Sequence, residues 1–359
     1  MIKKAVKKVL VALGVLLASV IVFVVGFLIF SSVTTLHVRD TEAMELGGMV
    51  AKKINDNQEI RILTWNIGYG GLDERQDCYF DGGKGVDGES LEVVQDNVKQ
   101  IKNKIQELDP DIFNLQEIDR DSKRSYHYDE LISFEESFGK DSYQNSFARN
   151  FKAGFVPVPL YNPTGEVEAG IATFSKFRIS SATREQLPIP FNWPVSLVNL
   201  KRCLLVNRLP IMYSDKELII INLHLEAYDD GEGRTRQLKQ LMDIMEEEYT
   251  KGNYVVACGD FNQAFSNADL SKYPKIDEWV CPVIDVEDYP DFSFSMDDSV
   301  PTCRSLSSTY HDSDKATHQY YMLDGFITSK NISIKQLETF DFGFKNTDHN
   351  PVIMTITLE

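Results

Sequence analysis

Six short stretches of this sequence carry side chains able to act on a phosphate or a polarised water. They are Trp65-Asn66, Gln116-Glu117, Asn222-Leu223-His224, Gly259-Asp260-Phe261-Asn262, Leu323-Asp324 and Thr347-Asp348-His349-Asn350-Pro351. Carboxylate and amide oxygens are what a hard divalent cation takes as ligands. Histidines near their ordinary pKa donate to oxyanions or shuttle protons. Asp260 and Asn262 stand two apart, a spacing that puts both on one side of an extended chain. Singly, each residue also has an ordinary explanation. Asp260 and Asn262 make an Asx-rich turn, His224 a hydrogen-bonded half-buried histidine, Asn66 and Glu117 strand ends, Asp324 and Asp348 caps.

The argument for a site is the recurring relation of these residues to apolar runs. Asn66 ends the strand pattern at residues 60–68, Glu117 that at 111–117, and Asp260 with Asn262 the buried run beginning at Val255. In 219–226, Ile219, Ile221, Leu223 and Leu225 share one face while Asn222, His224 and Glu226 share the other. Asp348 and His349 precede an alternating final strand at 352–358, and Asp324 opens the apolar run that follows it. Strands ending together in a layered sheet structure present such residues on one rim, which is simpler than six coincidences.

Between the strands, Leu91, Val94, Val98, Ile101, Ile105 and Leu108 recur every three or four residues. That spacing predicts an amphipathic helix with Ser90 as its N-cap and a stop at Asp109-Pro110. Leu238, Leu241, Met242 and Met245 predict a second one. Further strands are expected at 170–174 and 204–211. Residues 69–90, rich in Gly and Asp, read as a long functional loop, residues 120–165 as irregular, and residues 264–315 as a variable insertion or loops. The rim loops at 69–90 and 126–163 are expected to decide what is bound.

The first 50 residues differ from the rest. Lys3, Lys4, Lys7 and Lys8 precede Val9–Phe30, 22 residues without a charge, long enough for a membrane-spanning helix at about 20 residues per span. A cleaved signal peptide is the competing reading, but its apolar core runs to only about 7 to 15 residues and ends at a small-residue cleavage site. Neither condition is met here. The lysines on the near side place the N-terminus in the cytoplasm and the remainder outside. The expected organisation is a cytoplasmic N-terminus at 1–8, a single span at 9–30, a tether at 31–57 and one domain at 58–359.

Of the 359 residues, 43% are hydrophobic and 25% charged, ordinary values for a chain with a large core. Residues 1–50 are net +2, which leaves −17 minus 2, or −19, on residues 51–359. Such a body lacks the clustered Lys and Arg that gather nucleic acid non-specifically. The five cysteines, at positions 78, 203, 258, 281 and 303, include no C-x-x-C pair, and no bridge is expected.

Taken in order, the six motifs resemble those of the endonuclease/exonuclease/phosphatase superfamily, which includes pancreatic-type deoxyribonucleases, abasic-site endonucleases, neutral sphingomyelinases and inositol-polyphosphate 5-phosphatases. The resemblance spans about residues 60–359 and suggests a membrane-anchored, bacterial-type member. It implies an α+β four-layered sandwich of two mainly antiparallel sheets flanked by helices, here preceded by one transmembrane helix. It also implies Glu117 as main metal ligand, assisted by Asn66 and Asp348, with Mg²⁺ as the cation and Mn²⁺ or Ca²⁺ as substitutes. Asp260 would orient or deprotonate the attacking water, and Asn262 would hold water or phosphate. His224 would contact a phosphoryl oxygen, and Asp324 would orient His349, the base or transition-state donor. Arg202 corresponds to a phosphate-contacting arginine in some members. One position departs from the pattern: abasic-site enzymes carry an acidic residue two positions after the first asparagine, where this chain has Gly68.

The expected function is a metal-dependent phosphodiesterase anchored in the membrane and acting outside the cytoplasm, on lipid headgroups or other membrane-proximal phosphoesters. An extracellular nuclease is the second reading and an inactive binding module with the same fold the third; no protein partner is expected. The topology is checked by adding protease to intact cells. The domain should be shaved from the surface, and full protection would reverse the orientation.

Overall fold

Fourteen strands pair into two seven-stranded sheets in the computed structural model, which describes residues 2–55, 57–139, 141–229, 231–277, 279–311 and 314–359. In chain order they are β1 (Thr41–Ala43), β2 (Leu46–Gly47), β3 (Ile60–Asn66), β4 (Ile112–Asp119), β5 (Gln144–Val156), β6 (Gly165–Ser175), β7 (Ser181–Gln186), β8 (Cys203–Pro210), β9 (Glu217–His224), β10 (Tyr254–Asp260), β11 (Phe292–Ser295), β12 (Asp324–Ser329), β13 (Ile332–Thr339) and β14 (Val352–Leu358). The helices are α1 (Ile2–Thr34), α2 (Leu91–Leu108), α3 (Glu130–Phe138) and α4 (Glu232–Thr250). The first sheet runs β13-β14-β3-β4-β6-β5-β2 and the second β1-β7-β8-β9-β10-β12-β11. Only β3/β4 and β9/β10 are parallel, so both sheets are mainly antiparallel, as expected.

Strand β9 shows why the layers form. Leu218 and Ile220 face the other sheet, where they pack with Ile62, Ile112 and Met354. Ile219 and Ile221 face outward and meet Leu241 and Met245 of α4. A strand covered on both faces reads as one continuous apolar run. Helices α2 and α3 cover the outer face of the first sheet through Val98, Ile101 and Phe134, packed on Trp65 and Phe113. The result is the four-layered sandwich, helix on sheet on sheet on helix. Helix α1 stands apart as the one described helix long and apolar enough to cross a membrane. The Ser90 cap forms as expected, its hydroxyl accepting from Val93 N at 3.3 Å.

Three expectations need correction. Residues 31–57 are no loose tether: β1 pairs with β7, β2 with β5, and Ile54 is fully buried in the core between the sheets. Strands of two and three residues are too short to show a period. Residues 120–165 are not irregular either. They hold α3, capped by Asp129, and the 13-residue β5, whose alternation is broken by register shifts at Arg149/Phe151 and Ala153/Val156. Within 264–315, β11 closes an edge of the second sheet and residues 302–304 enter the site described below.

Between the sheets the apolar core gives way to a polar layer. Gln116 Nε2 donates to Asn222 Oδ1 (2.8 Å) and Thr64 Oγ1 (3.1 Å). Asn222 Nδ2 donates across to the carbonyls of Ala172 (2.8 Å) and Leu115 (3.2 Å). Thr173 Oγ1 donates to Asn114 Oδ1 at 2.7 Å. All these side chains are fully buried. Asn222→Ala would strand several buried groups, and at roughly 1–3 kcal/mol for each unsatisfied group the expected cost is about 3 kcal/mol. Thermal unfolding of the full chain in detergent measures it.

Candidate active site

The strand ends bring the motifs to one spot through backbone register. Asp260 lies opposite His224 across the parallel β9/β10 pair and opposite Asp324 across the antiparallel β10/β12 pair. Three functional side chains therefore share one rung of the second sheet. Gly259, just before Asp260, runs so close to β9 that a Cβ would strike the Leu223 carbonyl, so glycine is required there. After the rung the chain turns at Asn262 (φ 50°), whose N–H donates to Asp260 Oδ1 at 2.8 Å. The Asx turn expected at Asp260-Asn262 therefore forms. Asn262 Nδ2 donates to Leu225 O at 2.8 Å.

Asp260 Oδ2 is the focus. Asn66 Nδ2 donates to it at 3.1 Å, His224 Nε2 lies 3.4 Å away, and His349 Nε2 lies 3.7 Å away. Asn66 Nδ2 also donates to Glu117 Oε1 at 3.1 Å, while Asn66 Oδ1 accepts from Gly68 N. Glu117 stands at a break in the β4/β6 ladder with φ 55°, which turns its side chain toward the rim. His349 Nδ1 is 2.7 Å from Asp324 Oδ2, a bond that fixes Nδ1 as a proton-bearing nitrogen and leaves Nε2 facing Asp260.

Burial dominates the electrostatics. It pushes Asp260 up to about 6, with Asp324 adding to the shift and His349, the Asn262 N–H and Asn66 opposing it. Asp348 is likewise raised by burial to about 6, with Glu117 adding and His349 and Arg304 opposing. His224 is pulled well below the ordinary histidine value by burial and by the charges of Arg202, His349 and Arg124, so it is neutral. Burial works against a charge on His349, but Cys303, Asp324 and Asp348 outweigh it and hold its pKa well above the ordinary value. Burial also pushes the Cys303 thiol up to about 12. That thiol is neutral near pH 7, and we assign the stabilisation of His349 to the two carboxylates.

Every sequence-predicted site residue therefore lies in this neighbourhood, Arg202 on its margin. The Arg202 guanidinium pairs with Glu226 at 3.5 Å and reaches the His224 carbonyl at 3.4 Å. Two groups of residues whose ligand atoms lie within 4.8 Å of one another centre on His349: Asp260 with Asp324, and Cys303 with Asp348. Neither includes Glu117. Because His349 is engaged by Asp324, the first group is a hydrogen-bonded relay more than a ligand set. Glu117 and Asp348 form the oxygen-rich pair. Among the described residues neither has a lysine or arginine ion-pair partner, and each lies in the other's field. Two carboxylates in each other's field, with only His349 at 3.9 Å from Asp348 as an ion-pair partner among the described residues, fit a hard divalent cation.

Several residues were missed from sequence. Thr302 Oγ1 accepts from the N–H groups of Leu323 (2.8 Å) and Asp324 (3.1 Å) and so holds the Asp324 backbone. The main chain of Cys303 pairs antiparallel with that of His349, and Arg304 N donates to Asp348 O. Buried Arg304 also ties down the carbonyls of Leu72 and Asp73. Arg124, held by Asp119 and lying 3.7 Å over the Tyr69 ring, sends positive charge toward Glu117 and His224. From the long glycine-rich loop, Asp81 accepts from Tyr228 Oη at 2.7 Å, in the field of Glu117 and His349. None of these carries a local sequence signal, because each is recruited by tertiary packing.

The sequence pattern of the Endonuclease/Exonuclease/phosphatase family matches residues 63–326, and the chain belongs to that family, whose members are hydrolases acting on phosphoester bonds. Solved structures share its fold. An endonuclease/exonuclease/phosphatase from Beutenbergia cavernae is 18% identical with a TM-score of 0.56, over 84% of this chain and 72% of the other. The human Nocturnin catalytic domain is 15% identical at 0.51, over 88% and 97%. A TDP2 from D. rerio, complexed with single strand DNA product, is 13% identical at 0.52, over 84% and 100%. A comparison with curated protein sequences finds no significant match.

Gly68 accounts for the departure noted in the sequence. Its φ is +53°, and a Cβ there would lie 2.8 Å from Asp348 Oδ1 and 3.0 Å from Leu72. The space an acidic side chain would fill is occupied by Asp348. Gly68→Ala should therefore displace Asp348 and lower the melting temperature of the full chain. A crystal structure of the variant with Asp348 unmoved would refute this.

Proposed function

We propose that this chain is a membrane-anchored, divalent-cation-dependent phosphodiesterase whose domain acts outside the cytoplasm. The observation that supports it most is the convergence of Asn66, His224 and His349 on one oxygen of Asp260. Asp260, pushed to about 6, is ionised at neutral pH yet basic enough to take a proton from an attacking water. Asn66 and the Asn262 N–H keep its two oxygens apart in role, and the Asn262 side chain holds water or phosphate. Neutral His224 offers a phosphoryl oxygen an uncharged donor. His349, oriented by Asp324, presents Nε2–H to the charge that develops as the ester bond breaks. Arg202 contributes a positive field behind His224.

Glu117, Asp348 and Asn66 would hold the cation, with Mg²⁺ as the first choice and Mn²⁺ or Ca²⁺ as substitutes. Such an ion neutralises phosphate charge and makes bound water more acidic. The lysines before the apolar run place the N-terminus in the cytoplasm, and anchoring favours membrane-proximal phosphoesters such as lipid headgroups. Nucleic acid is the second reading. The D. rerio TDP2 complex with a DNA product supports it, and the −19 charge of residues 51–359 weighs against it. A binding module without activity is disfavoured because no expected catalytic position is missing.

The full chain in detergent, assayed with Mg²⁺ or EDTA on chromogenic diester and monoester phosphates, DNA and phospholipid, tests the class and the substrate together. Turnover of the diester should be lost in EDTA and restored by Mg²⁺; no metal-dependent turnover of any substrate would remove the enzyme reading. Asp260→Ala and His349→Ala should each lower kcat by about 10²- to 10⁴-fold. Full activity in either would overturn the assigned roles.

A further inference from the structure

The end of α1 is fastened to the domain. Thr34 Oγ1 accepts from Gly154 N at 3.2 Å, Leu36 N donates to Lys152 O at 3.0 Å, and Lys201 Nζ donates to Thr35 Oγ1 at 2.8 Å. Phe27 meets Phe155 edge-on, with ring centroids 6.5 Å apart. Phe27 belongs to the uncharged run Val9–Phe30. At 1.5 Å per residue that run is about 33 Å long, close to the ~30 Å hydrocarbon thickness of a bilayer. Phe27 then lies only about 4–5 Å short of the run's outer end, which sets Phe155 at the depth where hydrocarbon meets headgroups.

The two loops beside Phe155 are unusually apolar on their open side. Val158, Leu160 and Tyr161 are 38%, 88% and 65% exposed, and Trp193 and Val195 are 65% and 52% exposed. The turn that follows Trp193 packs its Val198, with Leu200, onto Phe151 and Val156 of β5, the strand that also meets α1. Single exposed apolar residues are ordinary, but a cluster of this kind marks a contact surface. Trp and Tyr are the residues that favour the membrane interface.

We infer that the loops carrying Val158, Leu160, Tyr161 and Trp193 dock on the outer surface of the lipid bilayer beside the exit of α1. This rests on the proposed reading that α1 spans the membrane. Depth favours lipid over a protein partner, since Phe155 is held at the level of the boundary by the helix itself. Attraction between charges does not drive the docking, because residues 51–359 are net −19; a zwitterionic bilayer suffices. The docked loop is tied to the site. Tyr161 Oη donates to Lys84 O at 2.7 Å and its ring lies 6.2 Å from that of Tyr79. Lys123 Nζ grips both Asp87 and Asn162. Asp81, in the same glycine-rich loop, reaches Tyr228 at the mouth. The mouth is thereby held next to the lipid surface, facing phosphoesters that stay in it.

Tryptophan fluorescence tests this, because the chain has three tryptophans and none lies in α1. Trp65 is fully buried and Trp279 is half-buried against the Tyr321 ring, so Trp193 is the most exposed of the three, and the Trp193→Phe variant separates its signal from that of Trp279. The full chain is reconstituted into phosphatidylcholine vesicles with and without brominated phosphatidylcholine. Emission should be quenched by the brominated lipid, and the Trp193→Phe variant should lose that quenching. If the protein floats with vesicles after a carbonate wash while Trp193 is unquenched by bromolipid and open to aqueous iodide, the docking is overturned and the anchor stands. Failure to float overturns the anchor reading itself and the docking with it.

Discussion

The site depends on a single rung of the second sheet. His224, Asp260 and Asp324 come from three adjacent strands and are aligned by main-chain hydrogen bonding, so their mutual positions are as rigid as the sheet. A slip of one residue in β10 would turn Asp260 to the opposite face and separate it from both partners at once. Several structural features work to prevent that slip. Gly259 lets β10 approach β9 closely enough to keep the register. Thr302 fixes the start of β12, and the Asn262 N–H ends β10 by capping Asp260 itself.

The first sheet brings Asn66 and Glu117 to that rung, and the polar layer between the sheets sets the approach. Apolar sheet faces can slide over one another with small loss, whereas a buried amide bonded across the gap admits one alignment. Asn222 is bonded to Gln116, next in sequence to Glu117. Trp65, next to Asn66, donates to the carbonyl of His349 at 2.9 Å. In both cases the neighbour of a functional residue carries the positioning contact, which is why the short motifs pair an active polar residue with one that is buried.

Much of this was legible in the sequence. The strands ending in Asn66, His224 and Asp260 show because they are buried on both faces or cleanly alternating, and α2 shows because 18 residues allow five turns of periodicity. The short edge strands β1 and β2 and the long β5 do not, since strands of two or three residues have no pattern and bulges scramble one. Among site residues, those on strand ends were visible as polar interruptions of apolar runs. Arg124, Thr302 and Arg304 were not, because their roles exist only once distant loops are packed together. The length of the glycine-rich loop marks it for attention, although nothing in it singles out Asp81 as the residue that meets Tyr228 in the field of Glu117 and His349.

The segment that follows α1 has a mechanical consequence. It places β1 on the outer edge of one sheet and, three residues later, β2 on the outer edge of the other, so a single passage of chain clasps both sheets at their exposed margins and covers edges that would otherwise be open to pairing. Any pull on α1 is first borne by its contacts with β5 and Lys201 and then by this clasp. A protease cut before residue 41 would release a domain with both edges still closed, whereas a cut beyond residue 47 would take the clasp away with α1.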